Sequence, residues 1–70
     1  MRVPMTLTVN GEKREVEPGL NLTAFLAQIG LDPAKVAVER NLAIVPRSRF
    51  AATELSPGDR IEIVQFVGGG

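Results

Sequence analysis

The chain offers few side chains that could carry out chemistry. Its 70 residues contain no cysteine, histidine, tyrosine or tryptophan, so a thiol nucleophile, the usual general base and the commonest metal ligand are all missing. One candidate remains, the carboxylate of Gly70, which follows Gly68 and Gly69. Because glycine has no Cβ, we expect residues 68–70 to form a thin, flexible tail that can enter a narrow channel in another protein.

A terminal carboxylate has a pKa of about 3.5 and is ionised at neutral pH, which makes it a poor electrophile. Its activation requires an energy source, and we expect adenylation by ATP. An acyl-adenylate at Gly70 could then accept a sulfur nucleophile, giving a thiocarboxylate, or a lysine amine, giving an isopeptide. Composition alone also allows the glycines to be an inert end.

Charge and hydropathy exclude several classes of function. Eight basic residues balance eight acidic ones, which disfavours nucleic acid as a partner because its binding depends on neutralising phosphates. No apolar run approaches the ~20 residues that cross a membrane, and residues 1–4 are too short for a secretory signal. We therefore expect a cytoplasmic protein that binds no nucleic acid, membrane or metal.

The first half of the chain predicts a hairpin followed by a helix. Residues in Met5–Val9 alternate between apolar and polar, Asn10-Gly11 favours a tight turn, and Glu12–Val16 returns as a largely polar strand. The helix is predicted by an apolar stripe at i, i+3, i+4 and i+7, formed by Leu22, Phe25, Leu26 and Ile29.

The ends of this helix are marked by two further residues. Asn21 can cap its start by accepting a hydrogen bond from a free backbone N–H. Gly30 can close its end in the left-handed conformation.

The second half predicts three strands, over residues 36–38, 43–45 and 60–67. Residues 47–56 are predicted to be irregular, anchored by Phe50 and Leu55. The segment Pro57-Gly58-Asp59 is a turn signal, and it is not a phosphate-binding loop because no glycine-rich segment leads into a helix there.

The predicted order β-β-α-β-β-β indicates an α+β fold of the β-grasp (ubiquitin-like) type. Such a fold has a mixed sheet of about five strands packed on one main helix. Its last strand lies centrally, beside and parallel to the first, with a right-handed connection. We expect residues 1–67 to form this single domain.

The last strand also predicts a docking surface. Alternation places Ile61, Ile63 and Val67 on one face, and Val64 and Phe66 on the other. A sheet covered by one helix has only one buried face, so Val64 and Phe66 would form an exposed apolar patch beside the tail. The alternative is that residues 47–56 cover them. Two residues of the neighbouring strand would extend the patch, Ala43 and Ile44.

Other charged residues are weaker candidates. Glu12, Glu15 and Glu17 cluster in the hairpin and are interpreted as solvated surface. Arg47 and Arg49 lie in a predicted loop and are interpreted in the same way.

Several segments together resemble the ThiS family of thiamin-pathway sulfur carriers. The resemblance runs from about Met5 to the end of the chain, and its most specific part is the ending. It is carried by Val38-Glu39-Arg40-Asn41, Val45-Pro46-Arg47, Gly58-Asp59 and the run from Ile61 to Gly70.

The resemblance implies a β-grasp fold and a carrier that acts as a protein co-substrate and is not an enzyme. Gly70 would be adenylated by an E1-like, ATP-dependent activating enzyme and converted to a thiocarboxylate with sulfur drawn from a cysteine desulfurase. Thiazole synthase would receive the sulfur. The carrier itself would bind no cofactor, since ATP is used by the activating partner.

The resemblance also assigns roles to the last residues. Gly68 and Gly69 would thread into the partner, while Val64, Phe66 and Val67 would lie in the docking region. The chain departs from the family pattern in two places, an extended start at residues 1–4 and Gln65 where histidine is often found.

The tail chemistry alone leaves other functions open. A related carrier could be the small subunit of molybdopterin synthase or could supply sulfur for tRNA thiolation. A ubiquitin-like modifier would join its terminal glycine to target lysines. A β-grasp RNA-binding or interaction module would leave the tail idle, although the neutral charge and three aromatic residues disfavour RNA.

Overall fold

A computed structural model describes residues 3–66 of the chain, in the predicted order β-β-α-β-β-β. The predictions for Val67 and for the glycines at 68–70, including the domain boundary between 67 and 68, lie outside the described residues. So do Met1 and Arg2. The elements are β1 (Met5–Val9), β2 (Glu12–Val16), α1 (Leu22–Gln28), β3 (Val36–Arg40), β4 (Ala43–Val45) and β5 (Arg60–Gln65).

Strands β1 and β2 form the predicted antiparallel hairpin. Met5 lies opposite Val16, and Val9 lies opposite Glu12. Both turn residues have positive φ, 49° at Asn10 and 84° at Gly11, which asparagine and glycine tolerate better than other residues. The turn chemistry therefore fixes the register of this hairpin.

Helix α1 has the two predicted ends. The Asn21 side chain accepts a hydrogen bond from the Ala24 N–H at 2.8 Å. At the other end Gly30 has φ of 79°, and the next N–H, on Leu31, donates to the Leu26 carbonyl at 2.9 Å. This pattern satisfies carbonyls that the last turn would otherwise leave free.

The five strands form one sheet in the order β2-β1-β5-β3-β4. Strand β5 is central, parallel to β1 and antiparallel to β3, as predicted. Strand β5 ends at Gln65, whereas alternation predicted a strand through residue 67. The Phe66 N–H still donates to the Lys35 carbonyl at 2.9 Å.

Residues 47–56 are more regular than predicted. Arg47–Ala52 form a 3-10 helix after Pro46, held by the Arg49 N–H to the Pro46 carbonyl at 2.8 Å. Short 3-10 segments are common connectors, and this one carries Phe50 into the core. A second short 3-10 helix spans Pro33–Lys35.

The core lies between α1 and the inner face of the sheet. Phe50 and Leu55 are both buried in it, so the prediction that they anchor this segment is confirmed. The fully buried side chains include Leu7, Leu22, Phe25, Leu26 and Ile61. Among residues 3–66, no helix is long and apolar enough to span a bilayer.

Candidate functional site

The candidate site is built on the end of β5, from which the chain continues to Gly70. Cross-strand partners share a face of the sheet, and Ile61 pairs with Val9 of the buried side of β1. Ile61 is fully buried and Ile63 packs partly against the core. Val64 lies on the other face and is 62% exposed, and Phe66 follows it at 56% exposed.

Ile44 lies on the same outer face of the sheet as Val64. Ala37 of β3 lies opposite Val64, and Glu39 lies opposite both Ile44 and Glu62. Ile44 is 76% exposed. It therefore belongs to the same face as Val64, as predicted.

Ala43 does not extend this surface. It lies opposite Arg40, which pairs with the inward-facing Ile61. Ala43 is exposed at the sheet edge but sits on the helix side of the sheet. The alternation of a short strand could not show which of two neighbouring residues points outward until the register was known.

The alternative in which residues 47–56 cover the patch is wrong. Phe50, at the centre of the 3-10 helix, is 3% exposed and belongs to the core beneath the sheet. The 3-10 helix lies against α1, on the side away from Val64 and Phe66. Within residues 3–66 the patch is open to solvent.

Acidic groups interrupt the patch. Glu39 and Glu62 face each other across β3 and β5, and Glu62 lies 3.7 Å from the Arg60 guanidinium. An exposed ion pair of this kind contributes little stability. The outer face therefore presents apolar side chains beside carboxylates, and a complementary partner surface would be apolar with basic groups.

The charged residues that the sequence offered as weaker candidates do not come together into one site among residues 3–66. Glu12, Glu15 and Glu17 are exposed on and just after β2, and the described part of the chain contains no cluster of acidic or histidine ligands that could hold a metal. Arg47 donates from Nε to the Pro33 carbonyl at 3.2 Å. Arg49 is exposed.

Sequence reasoning missed a polar network at the start of β5. Asp59 is 5% exposed and accepts hydrogen bonds from Arg40 Nε at 2.8 Å, Asn41 Nδ2 at 3.0 Å and the Ser56 N–H at 2.8 Å. From the sequence, Gly58-Asp59 is a turn signal and part of the family resemblance, and neither predicts a role for the Asp59 side chain. The signal was present in the motifs Arg40-Asn41 and Gly58-Asp59, but their contact depends on the sheet order.

The network changes the ionisation of Asp59. Burial acts to raise the pKa of this carboxyl, but the hydrogen bonds from Ser56, Asn41 and Arg40, with the positive charge of Arg40, outweigh burial and hold the pKa below its ordinary value of 3.8. Asp59 is thus a structural anion that ties the β3–β4 turn to β5.

A five-stranded mixed sheet wrapped around one helix, with the last strand at its centre, defines a β-grasp domain. The model of the ThiS family matches residues 7–70. The chain therefore belongs to the ThiS family.

Individual relatives agree with this assignment. The crystal structure of the thiamine biosynthesis protein ThiS from Geobacter metallireducens is 38% identical, with a TM-score of 0.80 over 94% of this chain and 100% of that one. The sulfur carrier protein ThiS of Bacillus subtilis is 49% identical over 46 residues, which are 66% of this chain and 70% of that protein.

A third relative is much longer. A thiazole synthase of Paramagnetospirillum magneticum is 48% identical over 66 residues, 94% of this chain. The chain spans only 20% of the length of that synthase.

Proposed function

We propose that the chain is the sulfur carrier of thiamin biosynthesis and that Gly70 carries the sulfur as a thiocarboxylate. The observation that supports this most strongly is the family match over residues 7–70, which includes the terminal glycines. The B. subtilis relative, named a sulfur carrier protein, supports the same function.

The chemistry follows from the reactivity of a carboxylate. In the first step an oxygen of the Gly70 carboxylate attacks the α-phosphorus of ATP, and pyrophosphate leaves. In the second step a sulfur nucleophile supplied through a cysteine desulfurase adds to the acyl carbon, and AMP leaves with the bridging oxygen. When this nucleophile is the terminal sulfur of a protein persulfide, the product is an acyl disulfide. A second thiol completes the step by attacking the donor's sulfur: the S–S bond breaks, the thiocarboxylate leaves with the electron pair, and the two thiols end as a disulfide. The side chains for both steps belong to the partners, and the use of ATP suits a cytoplasmic reaction.

The exposed patch of Val64, Phe66 and Ile44 is the proposed docking site for the adenylating enzyme. A partner that binds the Gly70 carboxylate must also lie close to the end of β5, because only three residues separate Phe66 from Gly70. Val64 belongs to that strand and Phe66 follows it, and exposed apolar side chains at such a place mark a docking surface. The proposal also includes Val67, which follows Phe66 in the sequence.

Thiazole synthase is the proposed acceptor of the sulfur. The P. magneticum synthase contains, within one polypeptide, a stretch similar to this chain together with a larger part that the chain does not match. Linkage within one polypeptide raises the effective concentration of its two parts for each other. This supports the proposal that the present chain acts together with a separate thiazole synthase.

Intact-mass measurement tests the proposal. The chain is incubated with its activating enzyme, ATP, cysteine, the desulfurase and a dithiol reductant, and its mass is expected to change by one exchange of oxygen for sulfur at Gly70. A variant lacking Gly69 and Gly70 is the control and should stay unmodified. An unchanged mass of the full chain, with an enzyme that hydrolyses ATP, would falsify the proposal.

Thiazole synthase then separates this function from related sulfur carriers. The thiocarboxylated chain should support thiazole formation in a reconstituted reaction with the synthase. Thiocarboxylate formation without any thiazole product would show a carrier that serves another pathway.

A further inference from the structure

A side chain in the turn between β1 and β2 hydrogen-bonds to the neighbouring strand β5. Asn10, with φ of 49°, lies against Ile63, which is 53 positions away in the sequence. The Asn10 side-chain oxygen accepts a hydrogen bond from the Ile63 N–H at 2.7 Å. Its Nδ2 donates to the Ile63 carbonyl at 3.2 Å.

The side-chain amide of Asn10 takes the place of a backbone peptide group in the pairing of β1 with β5. Pairing of β1 with β5 reaches Val9 opposite Ile61, and the Asn10 N–H donates to the Ile61 carbonyl at 2.9 Å. The backbone then turns away into β2. A side-chain amide has one donor and one acceptor side, as a peptide does, so Asn10 adds one more rung to the parallel ladder.

This rung is the last one on its edge of β5. Of the described residues, Ile63 is the last that hydrogen-bonds to the β1–β2 hairpin on this side. On the opposite edge β3 pairs as far as Gln65, and the Phe66 N–H donates to the Lys35 carbonyl. The path of β5 towards the glycines therefore depends on β3 on one side and on Asn10 on the other.

A second asparagine has an equivalent position at the start of β5. Asn41, in the β3–β4 turn with φ of 52°, accepts from the Arg60 N–H at 2.9 Å and donates to Asp59 at 3.0 Å. From Arg60 to Phe66 a strand covers about 20 Å. Asn41 thus anchors the end of β5 that is far from the tail.

We propose that Asn10 is a positioning residue for carboxylate activation. By holding Ile63 against β1, it fixes the direction of β5, the strand after which the sequence continues to Gly70. Reaction rates depend steeply on such alignment, since a misplacement of about 1 Å can cost up to about 100-fold. This inference rests on the proposed function.

Two matched variants test it, Asn10→Gly and Asn41→Gly. Glycine accepts the positive φ at both positions, so each change removes the side-chain hydrogen bonds and keeps the turn. Steady-state adenylation by the activating enzyme gives kcat and KM for the carrier, and thermal unfolding shows that each variant is folded. Amide hydrogen exchange at Ile63, with Ile61 as reference, reports the strand directly.

We expect Asn10→Gly to lower kcat by about tenfold or more, with faster exchange at Ile63 and little change in KM. Asn41→Gly should lower the thermal midpoint and leave kcat within about twofold of the parent. Equal kcat for Asn10→Gly and the parent, or equal losses in both variants, overturns the positioning role and leaves the carrier function standing. No adenylation of the parent chain overturns both.

Discussion

Arg40 Nε donates to the buried carboxylate of Asp59 at 2.8 Å, which joins the end of β3 to the residue that precedes β5. The same carboxylate accepts from Asn41 and from the Ser56 N–H. A buried charge is stable only when it is paired and hydrogen-bonded, and Asp59 has both kinds of partner. Two chain segments, residues 40–41 and 56–59, thus meet at one carboxylate beside the central strand.

The free energy of unfolding should therefore decrease in acid, where Asp59 becomes protonated. Its pKa is lowered in the folded protein, so it contributes stability that is fully present above the ordinary value of 3.8 and is lost as the pH falls through the folded pKa. Urea unfolding at pH 7 and at several points below pH ~4 measures the loss.

The matched variant for this prediction is Asp59→Asn. It should lose about 1–3 kcal/mol at pH 7, because Arg40 and the Ser56 N–H lose a charged acceptor. Its unfolding free energy should also depend less on pH in the acid range. A variant with the same acid dependence as the parent would show that other carboxyls control acid unfolding.

Local signals predicted much of the fold. Asn21 and Gly30 mark the helix ends because capping involves residues a few positions apart, and Asn10-Gly11 marks a hairpin because the turn demands positive φ. The exposure of Val64 and Phe66 followed from alternation on a sheet with one covered face.

Contacts between distant segments were not predictable. The bond between Asn10 and Ile63 and the network at Asp59 exist only once β5 lies between β1 and β3. For the same reason, the sequence could not predict the register that places Ile44 outward and Ala43 inward. The roles of Val67 and the terminal glycines remain predictions.

Gly30, just beyond the end of α1, should be sensitive to the addition of a single methyl group. Its φ of 79° is left-handed, and a Cβ there would meet no atom within 4 Å. Gly30→Ala should therefore cost about 1–2 kcal/mol through backbone strain alone. Urea unfolding measures the cost, and Gly30→Asn, which tolerates this conformation better, should lose less. Equal stability of the alanine variant would contradict the strain argument.

The apolar patch should affect binding of the activating enzyme and not its chemistry. Val64→Thr keeps a β-branched residue on β5 but replaces a methyl group with a hydroxyl. We expect KM for the carrier in adenylation to rise by about tenfold, as for an interface residue worth 1–2 kcal/mol, with kcat nearly unchanged.

Val3→Thr is the control for the patch. Val3 is 79% exposed and precedes β1, at the opposite end of the sheet, so the same chemical change should leave KM unaltered. If both variants behave alike, or if KM for Val64→Thr equals that of the parent, the enzyme does not dock on this face.

The position of the terminal carboxylate should be more critical for thiocarboxylate formation than any side chain of this protein. Addition of one alanine after Gly70 moves the carboxylate by about 3.5 Å, the reach of one extended residue, and places a Cβ on the terminal residue, where glycine has none. Thiocarboxylate formation should fall below detection by intact mass, while the urea midpoint should match that of the parent because no core residue changes. An added glycine separates the two effects, because it moves the carboxylate by the same distance but adds no Cβ. Activity with glycine and none with alanine would show that the width of the terminal residue matters more than its reach. Full activity of the alanine variant would show that the reaction does not use the Gly70 carboxylate in a narrow channel.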